Sequence, residues 1–287
     1  MTDSRVTPVP DVPLRAGAGG SITVPQLGFG VWQVPDESVD EAVAVALDAG
    51  YRHIDTARIY GNEAGVGRAL RASGMPRGDV FVTTKVWNDD QRRVRAAFDA
   101  SMERLGLDQL DLFLIHWPVP KADAYVGAWR ELLALRDEGR VRAVGVCNFH
   151  VPHLQRLLDE TGELPAINQV ELHPYLQQRE LRGFHAEHGV VTESWSPLAS
   201  GKQVLDDPVV SAVAAKHGVT PAQAIIAWHL ALGCVVIPKS VTPSRIRENL
   251  AAAQVTLDAE DLQAIAGLDR GMRTGPDPDR FSMDAPD

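Results

Sequence analysis

Eight times along the chain, a short apolar run rich in β-branched residues precedes a longer segment rich in Ala, Leu, Arg and Glu. The short runs are residues 28–31, 52–55, 80–85, 112–116, 143–147, 167–171, 190–195 and 234–238. They read as parallel strands, because a strand covered on both faces needs no polar alternation. The longer segments, 39–49, 63–72, 92–105, 124–138, 152–160, 178–188, 222–232 and 243–251, read as helices. A further short helix at 208–216 falls in the loop after the seventh strand. Sustained strand–helix alternation predicts an α/β fold, a closed (β/α)8 barrel of the TIM type.

No linker or shift in composition divides the 287 residues, so one domain over 1–287 is expected, with the barrel over about 27–251. Two apolar runs, 12–14 and 21–24, flank a turn containing Gly17, Gly19 and Gly20 and predict a β-hairpin over about 12–24. It is expected to plug the N-terminal mouth. Residues 271–287 hold three prolines and no period, which reads as a loop tail, either disordered or folded over the opposite mouth.

A net charge of −10 argues against nucleic acid or an anionic membrane as partner, though not against a small anion held by a local basic cluster. The two cysteines, Cys147 and Cys234, form no disulfide framework and suit a reducing, cytoplasmic compartment. The first fourteen residues lack the apolar core of a secretory signal, and the apolar stretch 224–238 is too short to span a bilayer.

Barrel enzymes react at the C-terminal ends of their strands. Strand two ends in Asp55 with Tyr60 in the loop behind it, strand three in Lys85, and strand four in His116. Each alone reads more readily as a loop charge or a structural hydrogen bond. Three titratable groups ending three consecutive strands are different, because burying them together is costly unless they pair, and a fold that incurs that cost at its active-site mouth is expected to use it. Trp32, Trp87, Trp117 and Trp195 stand at the same mouth, and the first three suit an apolar, water-excluding substrate wall.

The set suits proton donation to a carbonyl. A tyrosine of reference pKa about 10 donates poorly at neutral pH. Lys85 is expected to lower that value, Asp55 to hold Lys85, and His116 to orient the substrate oxygen. After the last strand, Lys239, Ser240 and Arg245 surround a predicted helix start with Thr242 as N-cap and Pro243 as first residue. That is an anion site or an ordinary capped helix. No Gly-x-Gly-x-x-Gly opens a helix, so a Rossmann cofactor domain is not supported.

Taken together, these segments resemble the aldo-keto reductase family. The resemblance lies in His53-Ile-Asp-Thr-Ala-Arg-Ile-Tyr-Gly-Asn-Glu63, Leu110-Asp-Leu-Phe-Leu-Ile-His-Trp-Pro118, Gly145-Val-Cys-Asn-Phe149, Asn168-Gln169, Ser194-Trp-Ser-Pro-Leu198 and Ile237-Pro-Lys-Ser-Val241. It runs from about Leu27 to Asn249, and its short loops are similar to the bacterial branch containing 2,5-diketogluconate reductases. The resemblance implies NADPH as cofactor, a monomer, and a catalytic tetrad of Asp55, Tyr60, Lys85 and His116 with Tyr60 as general acid. It implies that Cys147, Asn148 and Gln169 hold the carboxamide and that Trp195 stacks on the nicotinamide. Leu198, Ser200 and Gly201 would follow the pyrophosphate. Lys239, Ser240, Val241 and Arg245 would take the 2′-phosphate, with Glu248 and Asn249 near the adenine.

Two positions depart from many members: Cys147 replaces a serine, a stronger hydrogen-bonding group, and Trp195 replaces a tyrosine. The substrates implied are small aldehydes, keto esters, dicarbonyls or keto-sugars. Two rival readings are a metal-dependent hydrolase using His53, Asp55 and His116, and a regulatory NADPH-binding subunit with little turnover.

Overall fold

The computed structural model describes residues 9–201 and 203–282. The first eight residues and the last five of the expected tail lie outside that range. Strands β1 (Asp11–Arg15) and β2 (Ser21–Pro25) pair antiparallel as the hairpin. Eight parallel strands follow: β3 (Phe29–Gly30), β4 (His53–Asp55), β5 (Phe81–Val86), β6 (Leu110–Ile115), β7 (Val141–Cys147), β8 (Ile167–Glu171), β9 (Val191–Trp195) and β10 (Val235–Val236). Each pairs with its sequence neighbour.

The first and last barrel strands meet. Leu27 bridges Val236 in parallel, the Gly28 amide donates to the Val236 carbonyl (2.9 Å), and the Val236 amide donates to the Gln26 carbonyl (2.8 Å). The barrel is therefore closed. The expected end strands, 28–31 and 234–238, shrink to two residues each at this seam. The backbone there is closely approached: a Cβ on Gly28 would stand 2.5 Å from the His53 ring, and one on Gly30 2.9 Å from the Ile237 carbonyl.

The helices between strands are α1 (Asp36–Ala49), α2 (Glu63–Ala72), α3 (Val94–Leu105), α4 (Tyr125–Asp137), α5 (Val151–Thr161), α6 (Arg179–His188), α7 (Pro208–His217), α8 (Pro221–Ala231) and α9 (Pro243–Ala251). The extra helix expected at 208–216 is α7. A tenth helix, α10 (Ala259–Ala266), was not anticipated. Its start was legible, because Asp258 accepts from the Glu260 and Asp261 amides and Asp261 returns the contact in a capping box. Among the described residues no helix is long and apolar enough to cross a membrane.

Two apolar layers result. The outer one packs helices on strands and includes Trp129, Trp228, Phe98 and Phe113. The inner one fills the barrel with Phe81, Leu112, Leu114, Ile167 and Val235, and Leu14 and Val24 of the hairpin join it. The hairpin thus plugs the N-terminal mouth as expected.

Burial holds His53 down to about 4, His185 to about 3 and His229 to about 4, and pushes His116 well below its usual range. These imidazoles stay neutral in the fold while the unfolded chain protonates them below about 6.5. Burial raises Glu193 to about 8 and opposes them by one proton. The unfolded state therefore binds more protons below pH about 6, so stability falls as pH falls toward about 4.5. The net is about three protons, or roughly 4 kcal/mol per pH unit. Urea unfolding at pH 7, 6 and 5 measures it. A flat midpoint would mean that these imidazoles titrate normally in the folded protein.

Candidate active site

Asp55 ends β4, where its Cα pairs with Gly30 on one side and Thr83 on the other. Lys85 lies two residues beyond Thr83 on β5, so both point into the barrel. The Lys85 Nζ, wholly buried, donates to Asp55 Oδ1 (2.7 Å) and to the Thr56 carbonyl (2.9 Å). It also stands 3.5 Å from the Tyr60 hydroxyl and 5.1 Å from the centre of its ring.

Tyr60 closes a short turn, Arg58–Tyr60, that Gly61 ends in the left-handed region at φ 68°. Asn62 ties this loop to the barrel rim. Its Nδ2 donates to the Val31 and Val34 carbonyls (2.9 and 2.8 Å), and its Oδ1 accepts from Thr56 Oγ1 (2.7 Å). The His116 ring stands edge-on to Tyr60 at 5.8 Å and to Trp87 at 5.0 Å.

The charges divide clearly. Burial works to discharge the Lys85 ammonium, but Asp55 at 2.7 Å outweighs it and holds the group above its ordinary range. Burial and then the Lys85 charge keep His116 neutral. Lys85 lowers the Tyr60 phenol as expected from sequence, but the net shift is the other way: the phenol lies above its ordinary value. Burial exceeds the pull of Lys85, whose charge Asp55 already offsets. A phenol in this state is fully protonated at neutral pH.

The other expected residues stand around this group. Asn148, in the left-handed region at φ 63°, donates from Nδ2 to the His116 carbonyl (3.0 Å) and accepts from Trp195 Nε1 (2.9 Å). The register β7–β8–β9 sets Cys147 beside Gln169, and Gln169 beside Glu193. The Cys147 thiol, raised by burial, lies 3.9 Å from Gln169 Oε1. Leu198 is half-buried, and Ser200 and Gly201 are exposed in a turn where Ser200 has φ 57°.

Thr242 does sit at the N-cap of α9, yet its side chain caps no amide; instead Ser240 Oγ accepts from the Thr242 amide (3.1 Å). The first-turn amides of α9 thus face outward uncapped. Lys239 and Arg245 flank them, exposed and without an ion pair among the described residues, beside the exposed Val241. Glu248 accepts from Thr220 Oγ1 (2.7 Å) at the start of α8, and Asn249 is buried.

Of the three tryptophans assigned to a substrate wall, Trp87 is half-buried against His116 and Trp117 is buried. Trp32 is 48% exposed on the rim. The tail folds over this mouth and sets Phe281 4.5 Å from the Trp117 ring. What holds it was missed from sequence. Glu171, at the end of β8, accepts from the Thr274 amide (2.5 Å), Thr274 Oγ1 (2.7 Å) and the Gly275 amide (3.1 Å). A Cβ on Gly275 would lie 2.5 Å from the Trp195 ring, so the tail backbone rests on that indole. Glu171 and Glu193 could have been noticed as the acids of two buried strands.

The metal-site rival finds no support, because His53, Asp55 and His116 do not converge. His53 Nε2 lies 3.1 Å from Thr83 Oγ1, a layer below. Among the described residues only His150, Asp277 and Asp279 bring three such ligand atoms within 4.8 Å.

Residues 25–270 match the aldo/keto reductase family. The chain belongs to that family. This reductase is 55% identical to the methylglyoxal reductase DkgA of Yersinia pestis, over 91% of its own length and 95% of the relative's. It is likewise 55% identical to DkgA of Escherichia coli K12, over 90% and 94%. Its fold overlays on Gox0644, solved as the apo form and as a mutant in complex with NADPH, each with a TM-score of 0.89 and 44% identity. Those overlays cover 96% of the reductase and all of the solved chain.

Proposed function

We propose that Tyr60 is the proton donor of an NADPH-dependent reductase that turns small aldehydes and ketones, dicarbonyls and keto-sugars among them, into alcohols. The carrying observation is the chain from buried Asp55 and Lys85 to half-buried Tyr60 with a neutral His116 beside it, at the C-terminal mouth of the barrel.

The residues present fit a phosphorylated dinucleotide. The uncapped start of α9 and two exposed cations beside it, unpaired among the described residues, supply amides and charge for a phosphate. Lys239, Ser240, Val241 and Arg245 would take the 2′-phosphate, with Glu248 and Asn249 toward the adenine. Leu198, Ser200 and Gly201 would follow the pyrophosphate. Asn148 and Gln169, with a weak contribution from Cys147, would hold the carboxamide, and Trp195 would face the nicotinamide ring. When bound, the cofactor supplies a hydride to the carbonyl carbon.

The chain's own residues do the rest. Neutral His116 donates an N–H to the carbonyl oxygen and orients it. Tyr60 gives its proton to that oxygen as negative charge builds there. The resulting phenolate lies beside the Lys85 ammonium, which Asp55 keeps charged and in place. Trp87, Trp117 and Phe281 exclude water. The same reading places the protein in the cytoplasm as a monomer; its two cysteines are free and buried.

Methylglyoxal is the first substrate to assay, because the DkgA relatives are named for it. NADPH consumption with methylglyoxal and a panel of keto-sugars tests the activity. No turnover with tightly bound NADPH would favour the regulatory reading. Arg245→Ala should weaken NADPH by about 10–100-fold, the effect of one charge-assisted hydrogen bond of about 1.5–3 kcal/mol, and leave NADH unchanged. Equal weakening of both would remove Arg245 from the 2′-phosphate.

A further inference from the structure

Glu193 takes no part in the mechanism above, yet it is wholly buried inside the barrel, beside Gln169 on one strand and Val235 on the other. A buried carboxyl in a barrel interior is destabilising relative to a branched apolar side chain unless its contacts are used. Its contacts are specific. Gln169 Nε2 carries two hydrogens, and both are placed: one on Asp55 Oδ2 (2.8 Å) and one on Glu193 Oε2 (3.1 Å). Glu193 Oε1 makes no hydrogen bond and lies 3.8 Å from His53 Nε2.

We propose that Glu193 is a positioning residue for cofactor binding, one that with Asp55 locks the Gln169 carboxamide so that its oxygen rather than its amino group meets the nicotinamide carboxamide. This rests on the reading that Gln169 meets that carboxamide. Turning the amide over would set Gln169 Oε1 against the Asp55 carboxylate and forfeit that hydrogen bond, and Glu193 would have to turn its own hydroxyl toward Gln169 to keep the other. In the orientation observed, Oε1 receives only the Cys147 thiol, a weak donor at 3.9 Å, and keeps a lone pair for an incoming N–H. Asp55 alone is a looser lock. Its other oxygen is committed to Lys85, and the terminal amide torsion of glutamine is broad and roughly two-fold. Two acceptors on different strands define the amide plane, where one defines only a direction.

The charge of Glu193 suits the role. The groups facing it are Asp55 and His53 from β4, Lys85 from β5, Cys147 from β7 and Gln169 from β8. Burial, with Asp55 adding to it, lifts its carboxyl to about 8. At neutral pH it therefore accepts through a neutral carbonyl oxygen and adds no second anion beside Asp55.

The test is NADPH affinity by protein fluorescence for wild type, Glu193→Gln, Glu193→Leu and Gln169→Ala, with circular dichroism confirming the fold. Glu193→Gln keeps an acceptor oxygen and should bind NADPH within about 2-fold of wild type. Glu193→Leu should weaken it about 10-fold, the equivalent of one hydrogen bond, with KM for the carbonyl unchanged. Glu193→Met serves if the leucine variant does not fold. Wild-type affinity in Glu193→Leu while Gln169→Ala binds weakly overturns the proposal and spares the placement of Gln169. Wild-type affinity in both overturns that placement and the proposal with it. Equal loss in Glu193→Gln and Glu193→Leu also overturns it, because an acceptor at this position would then not matter.

Discussion

Replacing Tyr60 by Phe removes most carbonyl reduction, on the order of 10²–10⁴-fold in kcat, and leaves NADPH affinity near that of wild type. The hydroxyl is the only part lost. Among the described residues its hydrogen-bond partner is Lys85 at 3.5 Å, so no other hydrogen bond there is broken. The ring stays, and with it the edge contact to His116. Burial keeps the phenol protonated throughout the neutral range, so the donor is fully charged with its proton when substrate arrives. Lys85 acts afterwards, on the phenolate. The check is steady-state kinetics with methylglyoxal beside an NADPH titration. A variant with wild-type kcat would make His116 the donor, and a variant that also lost NADPH would place the hydroxyl against the cofactor.

Replacing Lys85 by Met reaches both stability and rate. Lys85 and Asp55 are buried together, and removing the cation leaves a carboxylate in the barrel to which, among the described residues, the Gln169 side chain alone donates. Breaking a buried pair in this way destabilises by about 3–5 kcal/mol. Activity falls by at least about 10²-fold, because the phenolate formed from Tyr60 loses its counter-charge. Adding Asp55→Asn to Lys85→Met should restore most of the stability and none of the activity. Urea midpoints and kcat on the single and double variants separate the two effects. Restored turnover in the double variant would show that Lys85 serves the fold alone.

Much of this was legible in the chain. The closed barrel follows from eight alternations of apolar strand and amphipathic helix, since burial on both faces writes itself into each short run independently of the others. Asp55, Lys85 and His116 were legible as strand ends, and Tyr60 as the residue of the loop between them. The start of α9 was legible in part: Lys239, Ser240 and Arg245 surround it, but Thr242, expected as its side-chain cap, leaves the amides free.

Tertiary structure decided what depends on groups brought in from other strands. The direction in which Tyr60 shifts is one such quantity, because a pKa is the balance of burial against charges on β4 and β5. Which oxygen or amide hydrogen Gln169 presents is another, set by carboxyls on β4 and β9. The clasp of Glu171 on Thr274 and Gly275, 103 and 104 residues further on, is a third. Local periodicity reports whether a position is buried; it carries no information about which partner arrives there, and the chemistry of this mouth turns on the partners.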